Sequence, residues 1–174
     1  SRITFLAPSR GLIGYQSKFL TDTRGTGIMN RLFHSYAPYK GEVGQRRNGA
    51  LISMETGTAV AYAIFNLEDR GKFFIGAGEA VYQGMIIGER NREDDLNINI
   101  TREKKLTNMR ASGSDNTVSL RPPKQLSLDQ RLEFISEDEL VEITPNHIRL
   151  RKMELDQTKR ASLRKKEKSL QDVK

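Results

Sequence analysis

A series of short apolar runs separated by turns most constrains how this chain can fold. Four such runs lie between residues 41 and 88, at 50–54, 59–65, 72–75 and 79–87, and turns such as Glu55-Thr-Gly57 divide them. Each run has the length of a β-strand, and strands repeated at this spacing are typical of a small barrel or sandwich. We therefore predict a β-rich, barrel-like domain in the middle of the chain.

The first 38 residues have a different pattern. Residues 2–7 alternate as in a half-buried strand, and residues 28–37 have the composition of a second strand. Between them, Leu12, Tyr15 and Phe19 recur at helical spacing and predict a helix over about 9–21. This order of elements is a β-α-β unit, the second half of a ferredoxin-like domain. Because half a sheet buries too little to be stable alone, we expect the first half to precede Ser1.

The last third of the chain indicates further regular structure. Ser127 and Gln130 have the spacing of a capping box and predict one short helix, and residues 141–143 and 148–151 predict a hairpin. The predicted class is thus α+β: half of a ferredoxin-like β-α-β unit, a β-rich barrel-like domain with one short helix, and a basic tail. We place these three parts at residues 1–38, 39–152 and 153–174, with a long loop at 89–117 that leaves the barrel.

Positive charge is concentrated at the end of the chain. The net charge is +7, and residues 147–174 hold ten Lys and Arg against four Asp and Glu, whereas residues 1–146 are nearly balanced. A tail of this composition attracts phosphate backbones or anionic membranes, or is simply a solvated, partly helical end. The sequence has no apolar run long enough for a membrane-spanning helix, and its lack of cysteine excludes a disulfide framework.

Few residues have a pattern that points to catalysis. The chain has no phosphate-binding loop of the G-x-x-x-x-G-K-[ST] type, and Gly76-Ala-Gly78 lacks the third glycine of a dinucleotide fingerprint. His34 and His147 have no partner at metal-ligand spacing. The best candidate for a metal or general-base site is the run of carboxylates at residues 93–95, for which a solvated loop is the alternative.

Residues 102–124 combine basic side chains with small hydrogen-bonding ones. Six Lys and Arg stand against two acidic residues there, interleaved with Ser, Thr and Asn. Lys and Arg neutralise phosphates, while Asn, Ser and backbone N–H groups reach sugars and base edges. The segment is therefore either an RNA-backbone contact or an ordinary polar loop. Arg46-Arg47, before Asn48-Gly49, forms a second and weaker basic candidate.

Six stretches, in this order and spacing, resemble the C-terminal half of the TypA/BipA family of ribosome-associated translational GTPases. The resemblance extends from about residue 2 to residue 152. The stretches are Arg10-Gly-Leu-Ile-Gly14, Thr23-Arg-Gly-Thr-Gly-Ile-Met29, Tyr39-Lys-Gly-Glu-Val-Gly44, Arg47-Asn-Gly-Ala-Leu-Ile-Ser53, Lys104-Lys-Leu-Thr-Asn-Met-Arg-Ala-Ser-Gly-Ser-Asp115 and Asp138-Glu-Leu-Val-Glu-Ile-Thr-Pro145.

The resemblance implies a function in translation. Proteins of this family look like elongation factor G in their GTPase and middle domains. GTP and magnesium would then be bound by a G domain outside these 174 residues, and this chain would be no enzyme and would hold no cofactor. The whole protein would be cytoplasmic and would act on the 70S ribosome and the large subunit, in stress or cold adaptation and in large-subunit assembly. We expect neither a membrane partner nor an oligomer.

The resemblance also implies contact residues. The C-terminal domain would reach into the ribosomal A site, where the loop at 89–117 would approach the acceptor end of transfer RNA and the ribosomal RNA. The residues to which it carries an RNA-contact role are Lys104, Lys105, Asn108 and Arg110, with Arg90, Arg92 and Ser112 as further members.

Two other classes of function remain open at this point. A protein-interaction or regulatory module would dock through the sheet edge of the incomplete β-α-β unit and would make no direct contact with RNA. An enzyme would use the carboxylates at 93–95 with a divalent ion.

Overall fold

The computed structural model describes residues 1–12, 15–41, 46, 48–103 and 119–171. Its α-helices are α1 (Tyr15–Asp22), α2 (Ala61–Leu67), α3 (Leu128–Phe134) and α4 (Gln157–Gln171), and short 3-10 helices occupy Ser9–Leu12 and Glu68–Arg70. Its strands are β1 (Ala50–Ser53), β2 (Gly57–Thr58), β3 (Gly71–Phe73), β4 (Ala80–Val81), β5 (Met85–Arg90), β6 (Leu96–Ile98), β7 (Glu139–Ile143) and β8 (Ile148–Lys152). The α+β class is confirmed.

Six of the strands form one open sheet. Its order is β6-β1-β5-β8-β7, and β3 pairs with β5 beside β8, while β2 and β4 form a separate pair. All pairings are antiparallel except that of β1 with β6. The sheet does not close into the barrel that the strand spacing suggested. Helices cover both of its faces, so the apolar side chains are buried without closure of the sheet on itself.

The run at 59–65, predicted as a strand, is helix α2 instead. Ala63 and Ile64 are buried in the core, whereas Tyr62 and Phe65 on the other side of the helix are exposed. The run contains three alanines, which favour helix, and its buried residues follow a helical rather than a two-residue period. A short apolar run cannot be assigned from length alone, because both periods fit it.

The two faces of the sheet bury separate hydrophobic clusters. Leu51 and Ile87 point to the face covered by α2, together with Ile98 and Ile100. On the opposite face, the ring of Phe134 from α3 packs edge-on against Phe74, with 5.2 Å between the ring centroids. Helix α3 starts where predicted, because Ser127 and Gln130 form the capping box. The predicted hairpin is also confirmed, as the antiparallel pair β7 and β8.

The N-terminal part has the predicted helix but not the predicted strands. Residues 9–12 and 15–22 are helical, which agrees with the helix predicted over 9–21. Residues 2–7 and 28–37 belong to neither sheet, and their large apolar side chains, such as Phe5 and Leu32, are exposed. A strand needs a partner for its N–H and C=O groups, and the described residues offer none to these two segments.

The predicted loop at 89–117 is partly regular structure. Arg90 ends β5, and residues 96–98 form β6, which pairs in parallel with β1. Ile98 and Ile100 are buried, so they anchor the chain to the core before it leaves the sheet. Polar composition misled the prediction here, because an edge strand needs only its inward side chains to be apolar.

Candidate nucleic-acid interface

The basic segment at 102–124 leaves the sheet through a firmly bonded stem. The N–H groups of Met54 and Val60 donate to the carbonyl oxygens of Ile98 and Ile100, each at 3.0 Å. Thr101 then turns the chain, because its N–H donates to Asn99 Oδ1 at 3.0 Å. The outgoing stem is therefore attached to the start of helix α2.

The returning stem is attached near the other end of the same helix. Leu120 packs against the core, and the N–H of Arg121 donates to Glu68 Oε1 at 2.8 Å. Lys124 is held twice, by its N–H to the carbonyl oxygen of Phe73 at 2.8 Å and by its ammonium group to Glu89 at 3.1 Å. The two stems are therefore attached at opposite ends of helix α2.

The side chains at the two stems are basic and face solvent. Arg102 is exposed where the chain leaves, and the side chain of Arg121 is 76% exposed where it returns. Lys124 is 45% exposed despite its ion pair. Arg121 also has a carboxylate nearby, since its Nε lies 3.7 Å from Glu68, but unlike Arg46 and Arg90 it remains largely in solvent. Exposed basic side chains thus stand on both sides of the segment.

The structure divides the predicted RNA-contact residues into three groups. Lys104, Lys105, Asn108, Arg110, Ser112 and Arg47 lie outside the described residues. Arg92 is exposed, in the turn between β5 and β6. The side chains of Arg46 and Arg90 are only 9% exposed and form ion pairs inside the domain.

Arg90 stabilises the turn that follows its own strand. Its guanidinium pairs with the carboxylate of Asp94 and donates to the carbonyl oxygen of Asp94 at 2.9 Å. The hydrogen bond from Arg90 lowers the pKa of Asp94, and the charge of the same arginine acts in that direction. The contact explains Arg90 as a structural residue.

Arg46 is the centre of a buried contact between distant segments. Its two terminal nitrogens donate to the two carboxylate oxygens of Glu139, at 2.8 and 3.0 Å, and one also reaches Asp95 at 3.2 Å. The guanidinium lies over the ring of Phe134, 4.3 Å from its centroid. Such a two-pronged contact suits arginine, whose planar group matches a carboxylate. Arg46 therefore connects the start of the domain to α3 and β7.

Lys152 is buried beside Arg46, with only 1% of its side chain exposed. Its ammonium group lies 2.7 Å from Asp95, 2.7 Å from Glu139 and 2.9 Å from Asp138. Arg164 of helix α4 reaches the same carboxylate of Asp95 at 2.8 Å. We call the six residues that share these contacts the ion-pair network: Arg46, Asp95, Asp138, Glu139, Lys152 and Arg164.

The charges in the ion-pair network stabilise one another. Burial alone would raise the pKa of Asp95. The hydrogen bond from the backbone N–H of Ala50 and the positive charges of Lys152 and Arg46 outweigh this effect and hold that pKa below its usual value. Burial would likewise lower the pKa of Lys152, but Glu139, Asp95 and Asp138 raise it. Both groups are thus charged at neutral pH, and each needs the other.

Gly49 allows Asp95 to reach this position. A Cβ on Gly49 would overlap the carbonyl oxygen of Asp94, so only glycine lets the two chain segments approach so closely. Backbone hydrogen bonds join the two segments in both directions. The N–H of Gly49 donates to the carbonyl oxygen of Arg92 at 2.6 Å, and the N–H of Arg90 donates to the carbonyl oxygen of Gly49 at 2.8 Å. The turn after β5 is thereby fixed against the start of β1.

Two of the three carboxylates at 93–95, those of Asp94 and Asp95, are engaged in this arrangement, and Glu93 is exposed. Asp94 pairs with Arg90 and Asp95 with three cations, so their charge is neutralised within the protein. Across the described residues, no group of three His, Cys, Asp or Glu is placed to hold a metal ion. A cavity of about 410 Å³ opens beside them and is lined by side chains of both signs, among them Arg46, Asp94 and Asp138.

Sequence reasoning did not identify Lys152 or Glu139 as important residues. A signal for Lys152 does exist, because β8 alternates and Leu150 and Lys152 both point inward. An inward lysine on an alternating strand requires a buried carboxylate, since an unpaired charge is too costly to bury. One such carboxylate, Glu139, stands opposite Lys152 in the β7–β8 hairpin, whereas Asp95 lies more than fifty residues earlier and no local pattern indicates that contact.

Comparison with known proteins identifies two modules. The TypA/BipA C-terminal domain matches residues 48–157, and the elongation factor G C-terminus matches residues 1–47. None of the helices within the described residues is both long and apolar enough to cross a membrane.

Several relatives are similar along almost the whole chain. The large ribosomal subunit assembly factor BipA of Salmonella typhimurium is 54% identical over 160 residues, which cover 91% of this chain and 26% of that protein. The factor of the same name from Bacillus subtilis is 47% identical over 169 residues, which cover 97% of this chain and 28% of that protein. The chain thus spans about a quarter of the length of these relatives. It belongs to the TypA/BipA family, of which it carries the C-terminal domain.

Proposed function

We propose that this chain is the ribosome-binding C-terminal module of a translational GTPase that assists assembly of the large subunit, and that its segment at 102–124 contacts RNA. The names of its relatives support the first part, since they are large ribosomal subunit assembly factors. The observation that carries the second is the anchoring of both stems at the ends of helix α2, with exposed basic side chains at each.

The anchored stems suit a segment that contacts a charged polymer. Arg102 and Arg121 stand on either side of it, and Lys104, Lys105 and Arg110 lie between them in sequence. Each phosphate that such a residue neutralises releases counterions, which makes the affinity strongly dependent on salt. Because the stems are bonded to the core, the segment would be delivered to its target in a defined direction.

The finer assignment follows from the family. We propose that the segment approaches the acceptor end of transfer RNA in the A site and the RNA of the large subunit, in the cytoplasm. GTP and magnesium would be bound by a G domain elsewhere in the protein. Lys104, Lys105, Asn108, Arg110, Ser112 and Arg92 remain the proposed contacts, with Arg47 beside them. We leave Arg46 and Arg90 out, because their guanidinium groups are already bound to carboxylates.

The experiment is co-sedimentation of the 174-residue chain with purified 70S ribosomes and 50S subunits over a range of salt concentrations. We expect a Lys104→Glu/Lys105→Glu variant to bind more weakly, with a salt slope reduced by about 1.4–1.8, because each of two lost phosphate contacts removes roughly 0.7–0.9. The matched control is Lys18→Glu/Lys40→Glu, which makes the same change of charge at two exposed positions outside the segment. If both variants bind with the same affinity and slope, the segment is not the RNA contact.

A second candidate is a protein-interaction module without direct contact to RNA. It is favoured by the large apolar side chains that residues 1–41 expose, among them Phe5, Leu32 and Tyr36. Exposed apolar surface of this kind is typical of docking sites. In that case binding to ribosomes would be insensitive to salt, and free RNA would not compete with it.

A further inference from the structure

Helix α4 is seated on the domain by two arginines. Arg160 is buried and donates to the carbonyl oxygens of Glu154 and Leu155, at 2.9 and 2.6 Å, and to Asn97 Oδ1 on β6 at 2.6 Å. One turn later, Arg164 pairs with Asp95 at 2.8 Å. The helix begins at residue 157, where the match to the TypA/BipA C-terminal domain ends. It is therefore a fixed addition to that domain and not a solvated tail.

The start of α4 is fixed as well. Asp156 accepts hydrogen bonds from the N–H groups of Thr158 and Lys159, at 2.7 and 3.0 Å, which is the pattern of a helix N-cap. The preceding Leu155 lies against Gly84, where a Cβ would come within 2.7 Å of the Leu155 Cα. Gly84 also has a φ of +82°, so the close approach and the backbone both require glycine there. The direction in which α4 leaves the domain is thus determined.

The side of α4 opposite the two arginines is basic and hydroxylated. Successive residues of a helix are 100° apart, so Lys159, Ser162 and Lys166 fall on one ridge on the far side from Arg160 and Arg164. Lys165 lies beside that ridge. All four side chains are exposed. The folded helix thus presents three ammonium groups and a hydroxyl on the broad side that faces away from the domain.

These groups fit the phosphates of RNA. Lysine and serine are residues that bind nucleic-acid backbones, where they fix position without reading sequence. A helix that binds a membrane surface needs an apolar face opposite its basic one, and here that face holds Arg160 and Arg164, which are engaged with the domain. Leu163 is an exposed apolar side chain beside the ridge.

We infer that the outward face of α4, formed by Lys159, Ser162, Lys165 and Lys166, is a second contact for RNA phosphates, separate from the segment at 102–124. The inference rests on the proposed RNA-binding function. It adds that the domain holds RNA at two places, the segment at 102–124 and helix α4. Because the contact reads no base, it would bind RNA of any sequence.

The test measures binding of the 174-residue chain to a fluorescein-labelled RNA hairpin over a range of salt concentrations. The helix variant is Lys159→Glu/Lys165→Glu/Lys166→Glu, and its control is Arg2→Glu/Lys18→Glu/Arg31→Glu, which makes the same charge change at exposed positions far from α4 in sequence. We expect the helix variant to lower the salt slope by about two to three relative to this control, since three phosphate contacts are lost. The corresponding Lys→Gln variant is expected to act in the same direction, and unfolding curves check that α4 is retained.

Each outcome separates the inference from the proposed function. If the helix variant matches its control while Lys104→Glu/Lys105→Glu weakens binding, the inference is wrong and the proposed segment stands. The reverse result supports the α4 contact and removes the segment. If neither variant departs from its control, both are wrong. Vesicles of phosphatidylserine serve as a second probe, and a loss of binding confined to vesicles would overturn RNA as the ligand.

Discussion

Replacing Lys152 with methionine removes one of the two cations buried in the ion-pair network. The side chain is 1% exposed, and its partners Asp95 and Glu139 are 8% and 0% exposed. Methionine is of similar length, so the main change is electrostatic. After the substitution, two buried carboxylates share Arg46, with Arg164 reaching Asp95 from the surface. The charge that had been balanced becomes negative in a region that water hardly reaches.

The expected loss is large for a single substitution. Removing one partner from a buried pair destabilises a protein by about 3–5 kcal/mol, because the remaining charge is left without compensation. We therefore expect the free energy of unfolding of Lys152→Met to fall by that amount at pH 7. Adding Glu139→Gln removes one of the uncompensated charges, so the double variant should recover part of the loss. If Lys152→Met acted only through lost packing, a second substitution in the core would not restore stability.

The loss should also depend on pH with a definite sign. The folded-state pKa of Asp95 is lowered, so its stabilising effect is present above the ordinary aspartate pKa of about 3.9 and is lost as the pH falls through the folded value. Removing Lys152 reduces that lowering. The difference in the free energy of unfolding between the unchanged chain and Lys152→Met is then fully present at pH 7 and should shrink below about pH 4. The folded-state pKa of Lys152 is raised, so its stabilising effect is fully present at pH 7 and is lost only in alkaline solution, as the pH rises through that folded value.

The assay is equilibrium unfolding in urea, followed by circular dichroism at several values from pH 7 downward. Lys72→Met is the control, because Lys72 is an exposed lysine on β3, and we expect it to change stability by no more than about 0.5 kcal/mol. The reasoning is refuted if Lys152→Met loses less than about 1 kcal/mol at pH 7. It is also refuted if Glu139→Gln deepens the loss instead of relieving it.

Two further substitutions test how the network and its neighbours are supported. Ser127→Ala removes the capping box of α3 and should destabilise the domain by about 1 kcal/mol in urea unfolding, whereas Ser119→Ala, at an exposed position outside any helix or strand, should have almost no effect. Gly49→Ala places a Cβ against the carbonyl of Asp94 and should destabilise by about 1–3 kcal/mol. Faster amide exchange in residues 91–95 would show that the turn has moved, and an unchanged pattern would contradict the assigned role of Gly49.

The accuracy of the sequence predictions depended on how local each signal was. The capping box of Ser127 and Gln130 and the hairpin of β7 and β8 were predicted correctly, because their hydrogen bonds join residues close in sequence. Helix α2 was missed, because its short apolar run fits a strand as well as a helix. Strand β6 was missed because it pairs with β1, more than forty residues earlier, and because its three residues stand within a polar stretch.

For the candidate interface, the sequence likewise revealed the local property, positive charge, but not the burial of each side chain. Sequence alone indicated a basic segment at 102–124 and a basic tail, because charge and hydrogen-bonding residue types can be read from composition. It could not distinguish exposed cations from buried ones. Arg46 and Arg92 are equally basic in sequence, yet the first is enclosed by Glu139 and Asp95 and the second faces solvent.

The sequence by itself determined the α+β class, the family and the places where positive charge accumulates, since residue order and composition contain these directly. Only the tertiary structure decided which cations are available to a partner. It brings Arg46, Asp95, Glu139, Lys152 and Arg164 together from five separate segments. The same contacts orient α4, so that Lys159 and Lys166 face outward. The physical reason is that burying a charge requires an opposite charge beside it, and the residue that supplies that charge is chosen by folding and not by distance along the chain.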